Sequence, residues 1–443
     1  MRKYGFWVSL LFVFLTVSAV FAFDVKFDGE FRTRFYGFMN KDLDFTRNAD
    51  FWSLDTRIRI GAEFEATSVF SLYYQLEVGN LPWGEAPLGG GQGADKWNLE
   101  TKNMYLLYDD IFLKGKLGII GFKTPLESEI DDDLMGLKLS FRQPLFDIDV
   151  LYSKLFNGTN ESISNVNEDN DYFETESWNA THLYYVNGQL KLDFLDANVY
   201  FMRVVDDRFA YKYSLNWIGT YEQLNLDPLK VEAGFSFNFG NVSQNSTNIP
   251  LAAFHLYAKA EMKILPFLEI FGRFNMTTGN DTNTGNIEQF QVLNNNGNFR
   301  TDLGILFGGS PFNQQAYFNS KVVTADTRKN LTRGAVRFDD PGLMVIEVGA
   351  KLKFDEIGLE TMLVGGFANT VVAVGTNNVN LLGIEFDLHN RLKLDKDVAF
   401  CLSMAVLLPG MALTPVYNMN HSTIILGSDI AFKIDGMIEL KFK

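Results

Sequence analysis

The chain has 443 residues, with 39 Lys+Arg, 54 Asp+Glu, 4 His and one Cys, for a formal net charge of −15, and it is 47% hydrophobic and 14% aromatic. Such acidity excludes the basic face expected of a nucleic-acid binder. A single Cys excludes a disulfide scaffold, and the apolar and aromatic load excludes wholesale disorder.

Arg2 and Lys3 form a short positive region, residues 6–17 are apolar and uncharged, and Ser18-Ala19-Val20-Phe21-Ala22 ends on a small residue. This is the pattern of a secretory signal peptide over residues 1–22, too short and wrongly flanked for a membrane anchor. The only Cys is Cys401, so none lies at the cleavage point to take a lipid. Residues 23–443 are then read as one exported domain. A spanning helix needs about 20 consecutive apolar residues. The longest uncharged run, Val398 to Asn420, is cut by Pro409-Gly410.

The chain offers period-2 alternation instead, the mark of strands with two unlike faces. In the first predicted strand Val25, Phe27, Phe31, Thr33 and Phe35 alternate with Lys26, Asp28, Glu30, Arg32, Arg34 and Tyr36. In the second, Leu54, Thr56, Ile58, Ile60, Ala62 and Phe64 alternate with Asp55, Arg57, Arg59, Glu63 and Glu65. The pattern returns at Leu229 to Phe239, and again where Ile384, Phe386 and Leu388 alternate with Glu385, Asp387 and His389. A soluble sandwich would also alternate. These runs, however, exceed the usual soluble strand of about 5–6 residues. The connections also alternate short and long, as in a transmembrane barrel that is apolar outside and polar inside.

Short turns are predicted near Thr67-Ser68, Asp109-Asp110, Gln143-Pro144, Asn187-Gly188, Glu222 to Asp227, Ile264 to Pro266, Asp355 to Ile357 and Asp395 to Asp397. Longer polar segments lie at 39–51, 80–100, 124–132, 156–176, 204–209, 240–250, 277–340, 369–380 and 409–421. Together they predict an all-β, antiparallel up-and-down barrel of 18 strands, with 16 as the alternative. Asp435-Gly436 is a hairpin dipeptide, yet Ile430, Phe432, Ile434, Ile438, Leu440 and Phe442 keep one phase through it. One closing strand with a Gly on its outer face is expected there. The alternation slips at Phe194 to Ala197, which a bulge or a displaced turn would explain.

Phe27-Asp28-Gly29-Glu30-Phe31-Arg32-Thr33-Arg34, Leu117-Gly118-Ile119-Ile120-Gly121-Phe122-Lys123, and Gly383 to Lys393 followed by Leu407-Leu408-Pro409-Gly410 give the chain a resemblance to bacterial outer-membrane porins, the 16- and 18-stranded substrate-channel and alginate-export-like barrels. It departs from them at the end, where Phe442 is followed by Lys443 rather than closing the chain. The resemblance implies the outer membrane of a double-membrane bacterium, a homotrimer in the lipid bilayer, and passive diffusion of ions and small polar solutes. It also implies that the third external loop folds inward and narrows the pore.

Candidate site residues follow from the polar faces. With the first two strands paired, Arg32 and Arg34 fall abreast of Arg57 and Arg59, a positive wall for anions. The competing reading is an ion-pair lattice with Glu30, Asp55, Glu63 and Glu65. Glu127, Glu129, Asp131, Asp132 and Asp133 form an acidic cluster in the third external loop. The loop is short for a constriction, so a solvated rim able to take Ca²⁺ or Mg²⁺ through its carboxylates is the favoured reading. No other cofactor is expected. The loop at 277–340 is the better lid by length, with Phe290, Phe299, Phe307, Phe312 and Phe318 as anchors. Tyr36, Tyr73 and Tyr257 are inward ring candidates for a sugar path, against the alternative that most aromatics serve the lipid-facing band and its girdles. His182, His255, His389 and His421 show no zinc-ligand spacing, and an enzyme is not expected. The alternatives are a plugged structural or adhesive barrel and an outer-membrane hydrolase. The latter would need a Ser beside an inward His.

Overall fold

The computed structural model describes residues 24–40, 43, 50–82, 99–156, 181–206, 211–244, 247–280, 286–293, 300–307, 342–374, 379–413 and 429–442. The expected signal peptide lies outside the described residues. Eighteen strands form one sheet: β1 (Asp24–Met39), β2 (Phe51–Glu65), β3 (Phe70–Pro82), β4 (Leu99–Asp109), β5 (Leu113–Lys123), β6 (Asp131–Arg142), β7 (Phe146–Phe156), β8 (Thr181–Leu192), β9 (Leu195–Asp206), β10 (Tyr211–Leu226), β11 (Leu229–Gln244), β12 (Thr247–Leu265), β13 (Leu268–Thr277), β14 (Leu343–Phe354), β15 (Leu359–Val374), β16 (Val379–Lys393), β17 (Val398–Pro409) and β18 (Ala431–Phe442). Each strand pairs antiparallel with its neighbours in sequence, and β1 pairs with β18, so the sheet closes and leaves no edge. The shortest strand has 10 residues and the longest 19. That is enough to cross a bilayer core, which takes about 9–11 tilted residues.

The alternation resolves as the long runs require. Phe27, Ile60, Val199, Val348 and Phe386 point outward and are 50–63% exposed. Arg32, Arg34, Asp55, Arg57, Glu347, Glu385 and Asp387 point inward and are buried. A soluble sandwich would bury the first set and expose the second. Exposed apolar surface on this scale belongs in lipid.

Three cross-strand pairs flank β1, two of them at the closing seam with β18 and one against β2. Phe35 lies opposite Gly436, Gly29 opposite Phe442, and Gly37 opposite Trp52, with each ring lying over its glycine. A Cβ on Gly436 would come within 1.9 Å of the Phe35 ring. The glycine therefore makes room for the ring rather than turning the chain. Asp435-Gly436 accordingly sits inside β18, as the unbroken phase predicts.

One turn is displaced from its predicted place. Asn187 and Gly188 lie inside β8, paired with Asp149 and Ile148 on one side and with Tyr200 and Val199 on the other. The chain reverses at residues 193–194, which accounts for the slip in alternation at Phe194. Pairing on both sides of the strand outweighs the turn preference of one Asn-Gly dipeptide. Two segments expected as loops are also shorter: β11 and β12 are separated by residues 245–246, and β15 and β16 by 375–378.

Candidate functional site

Strands β1 and β2 carry the four arginines on the inward face, and the register between them decides what those arginines meet. Arg32 lies opposite Arg57, but Arg34 lies opposite Asp55 and Arg59 opposite Glu30. The expected abreast placement of Arg32 and Arg34 against Arg57 and Arg59 is corrected to this offset register. Arg34 donates to both carboxylate oxygens of Asp55 at 3.2 Å. Arg57 pairs with Glu30, and Arg59 donates to Glu77 on β3 at 2.5 Å while lying 3.9 Å from Glu30. Glu63 and Glu65, expected in the lattice, bond Ser71 and Lys26 instead. Arg34, Arg57 and Arg59 thus pair with three carboxylates, Asp55, Glu30 and Glu77. The lattice forms with Glu77 in place of Glu63 and Glu65.

The acidic cluster divides. Asp131, Asp132 and Asp133 belong to β6, and Asp133 pairs with Lys102 of β4. Residues 124–130 form the connection, and it does not sit on a solvated rim. Leu126, Ser128, Glu129 and Ile130 are all buried. The segment enters the barrel far enough for Leu126 to touch β11, where a Cβ on Gly234 would meet its side chain at 2.5 Å. Glu129 accepts hydrogen bonds from Thr124 Oγ1 at 2.6 Å and from the Tyr200 hydroxyl at 2.5 Å. Glu127 pairs with Lys123 at 2.5 Å and lies 3.6 Å from Arg300. No group of three or more His, Cys, Asp or Glu side chains is arranged to hold a metal ion among the described residues.

Two stretches of the long connection between β13 and β14 also fold inward. Residues 286–293 pad the wall formed by β5 and by β7–β12. Ile287 makes a parallel bridge to Leu251, and the Leu293 N–H donates to the Glu129 carbonyl at 2.7 Å. The Trp217 indole N–H donates to the Gln291 carbonyl at 3.2 Å. Ile287, Phe290, Val292 and Leu293 pack against Leu183, Tyr185, Met202, Val204, Leu215 and Trp217. The inward wall is therefore apolar in this region, where a polar interior was expected. The padding spares that surface from water.

Residues 300–307 form the second pad, on β14–β18 and the end of β1. Leu303, Ile305, Leu306 and Phe307 pack with Phe38, Leu43, Val345, Val364, Leu382 and Leu407. This irregular backbone needs partners in a dry place, and inward side chains of the wall supply them. Glu385 accepts from the N–H groups of Ile305 at 2.5 Å and Leu306 at 2.8 Å, and Asp387 accepts from that of Gly304 at 2.9 Å. Glu347 accepts from the Asp302 N–H at 2.8 Å and from Thr301 Oγ1 at 2.5 Å. Lys433 donates to the Gly304 carbonyl at 2.9 Å, and His389 Nε2 to that of Asp302 at 3.0 Å. Arg273 closes the set with Asp302 at 2.8 Å and Glu347 at 2.6 Å. Phe290 and Phe307 act as the anchors expected of them, whereas Phe299, Phe312 and Phe318 lie outside the described residues.

Arg300 joins the second pad to the 124–130 connection. It donates to the carbonyls of Leu126 at 3.1 Å and Pro125 at 2.8 Å, and to the Tyr221 hydroxyl at 3.0 Å. Its guanidinium lies over the rings of Tyr221 and Tyr257 and 3.7 Å from Glu232. Burial works against its charge, but Tyr221, Glu127 and Tyr257 outweigh that, and its pKa is raised. Tyr257 thus serves as a platform for an arginine. Tyr36 is buried, and Tyr73 stacks on Tyr105 at 5.2 Å with its hydroxyl donating to Asp28.

Two Ser–His pairs do occur. His255 Nδ1 is 2.8 Å from Ser128 Oγ, with Nε2 2.6 Å from Asn275 Oδ1, and His389 Nδ1 is 2.9 Å from Ser403 Oγ. Ser128 and His255 have no accessible surface and Asn275 has 1%. The first set ties the 124–130 segment to β12, and no substrate atom can reach its hydroxyl in this arrangement.

Sequence reasoning named the four arginines but passed over Glu347, Lys433, Arg273 and Arg300. It placed Glu385, Asp387 and His389 on a polar face without assigning them a task. Their signal was present as unbroken inward polarity on β16. What they bind is backbone from a segment with no periodicity.

No protein-family model matches the chain, and no curated protein matches it in sequence. Among solved structures it is similar to Pseudomonas aeruginosa OccK8 (OprE), at 12% identity and a TM-score of 0.55 over 95% of this chain and 98% of that one. It is similar to Acinetobacter baumannii OccAB1 at 10% identity and 0.54, over 95% and 97%. A BenF-like porin from Pseudomonas fluorescens aligns at 10% identity and 0.52, over 95% and 98%. At these identities the likeness establishes the fold.

Proposed function

We propose that the chain is a channel of a bacterial outer membrane, through which ions and small polar solutes diffuse passively. The observation that carries this reading is a closed 18-strand barrel with apolar residues outward, charged residues inward, and three chain segments folded into its interior. Its solved neighbours include a protein described as a porin. The mixed wall of β1–β3 presents both signs of charge to a passing solute, and the pads at 286–293 and 300–307 limit the width of the path. Selectivity then depends on these lining charges rather than on the net charge of the whole chain. No catalytic step is assigned to it. The connection 124–130 is a structural element of the constriction, with Glu127 and Glu129 held by Lys123, Thr124 and Tyr200. A homotrimer is proposed as the working assembly.

A second reading, the plugged structural barrel, draws support from the buried contacts of the two pads. Current through the purified protein in a planar bilayer under a salt gradient separates the two. Discrete steps support the channel, and their reversal potential reports which charges control it. Folded, inserted protein that carries no current leaves the plugged barrel.

A further inference from the structure

On the outward face of β7–β10 the apolar band gives way abruptly to cations. Val150, Val186, Phe201, Ile218 and Phe237 form one row across the strands, paired in register, and the first four are exposed. The next row toward the loops is Tyr152, Tyr184, Arg203 and Asn216, and the one beyond holds Lys154, His182, Val205 and Ser214. Lys212 follows Ser214 on the same face of β10. Lys154, Arg203 and Lys212 are exposed.

These three cations make no ion pair among the described residues, and Arg203 reaches only Ser214 Oγ, at 3.3 Å. Elsewhere on the strands, Lys114, Lys138, Lys191, Lys230, Lys259 and Lys353 each have a carboxylate partner. Among the described residues, single strand cations such as Lys116 and Lys263 also lack a carboxylate partner, whereas here three lie within about 14 Å, the width of four adjacent strands, on an acidic chain. They border surface that faces hydrocarbon, where a cation lacking a counter-charge is costly. Beside them the Tyr152 hydroxyl is 3.0 Å from His182 Nδ1, and the His182 ring stacks with Tyr152 and Tyr184 at centroid distances of 6.0 and 6.5 Å. The result is an aromatic shelf at headgroup depth, with hydroxyl donors beside the cations.

We propose that this patch binds the phosphate-bearing headgroup of an anionic lipid in the outer leaflet, with Arg203 as the central ligand and Lys154 and Lys212 flanking it. The proposal rests on the outer-membrane reading above, which sets the lipid boundary. Guanidinium matches phosphate oxygens in a two-bond fork, and each cation near an anionic lipid surface strengthens attachment about fivefold. A two-fold contact with a second copy is disfavoured, because it would set these cations against their own copies; the contacts of a ring of three are heterologous, and the oligomer mass in the test below separates that occupant from lipid.

The test uses the full chain in detergent, with lipid binding read by native mass spectrometry. Short-chain phosphatidic acid and phosphatidylcholine are the probes. The wild type is expected to bind phosphatidic acid in preference. The Lys154→Gln/Arg203→Gln/Lys212→Gln variant is expected to lose that preference by at least tenfold, with phosphatidylcholine binding unchanged. Equal binding of phosphatidic acid by both proteins overturns the proposal, as does equal retention of the two lipids by the wild type. Inorganic phosphate that displaces the lipid completely assigns the patch to a soluble anion, and loss of oligomer mass without change in lipid assigns it to subunit contact; either outcome overturns it. Lys154→Gln alone, with about a fivefold effect, replaces the triple variant if that does not fold. Planar-bilayer current measured on the same preparation keeps the readings apart. Absent current with intact lipid preference refutes only the channel.

Discussion

Arg32 and Arg57 face each other directly across the β1–β2 pair, both buried on the inward side, while Arg34 and Arg59 at the flanking positions each face a carboxylate. Like charges directly opposite on a sheet are destabilising. The pairing of Arg57 with Glu30, one step along, moderates that repulsion. The wall is therefore a lattice of ion pairs around one like-charged step.

Removing charge from this wall should change selectivity before it changes the fold. Replacing Arg32, Arg34, Arg57 and Arg59 together with Gln leaves Glu30, Asp55 and Glu77 in excess, and the permeability ratio is expected to move toward cations. Arg32→Gln alone should move it in the same direction by less, since it removes one of the four charges. Reversal potential under a salt gradient measures both. An unchanged potential in the fourfold variant would mean that solutes do not pass this wall.

The pad at 300–307 depends on Glu385 more than on any one apolar contact. Two buried backbone N–H groups, those of Ile305 and Leu306, end on its carboxyl oxygens. Glu385→Ala leaves both without an acceptor, at a cost of about 1–3 kcal/mol each. The expected outcome is a pad released from β16, seen as larger unit conductance and more open-channel noise. Glu385→Gln keeps one acceptor oxygen and should have a smaller effect of the same kind. Identical single-channel traces for all three proteins would exclude this pad from the path.

Arg300 should couple the two folded-in regions. Its donors reach Pro125 and Leu126 on one connection while its own backbone belongs to another. Arg300→Met removes those bonds and the approach to Glu232, and hydrogen exchange should speed up in both 125–130 and 301–306. Because the pKa of Arg300 is raised, its stabilising contribution is fully present at every pH below its ordinary value and is lost only as pH rises through the raised one. The difference between wild type and variant should therefore not vary from about pH 5 to 9. Faster exchange confined to one segment would show that Arg300 does not join them.

The barrel was legible because its rule is repeated in every strand: apolar and charged residues alternate over 10 or more positions. Gly436 could be placed inside β18 because Ile434 and Ile438 share a phase across it. Asn187-Gly188 misled because the dipeptide reports a local turn preference, whereas Asn187 is fixed by long-range pairing and donates to Asn198 across the β8–β9 pair. The offset of Arg34 onto Asp55 rather than Arg57 depends on a register that alternation alone leaves undefined, since a shift of two residues preserves every face. The inward course of 124–130 had no sequence period at all. Its burial comes from partners far along the chain, Tyr200, Gly234, His255 and Arg300, and a short acidic segment reads the same whether it meets them or water.

The Ser128–His255–Asn275 set offers the sharpest check on the remaining enzymatic reading. With Asn275 Oδ1 accepting from Nε2–H, His255 Nδ1 would accept from the Ser128 hydroxyl, which is the proton order a nucleophile requires. Catalysis also requires access, and neither Ser128 nor His255 has any. A fluorophosphonate probe is therefore expected to leave Ser128 unlabelled in the folded protein, and no ester hydrolysis should depend on it. Ser128→Ala should instead cost about 0.5–1.5 kcal/mol of local stability, the worth of one hydrogen bond, read as faster exchange in 124–130. Labelling of Ser128 that is lost in His255→Gln would reverse this assignment and make the tie a working triad opened by movement of its own segment.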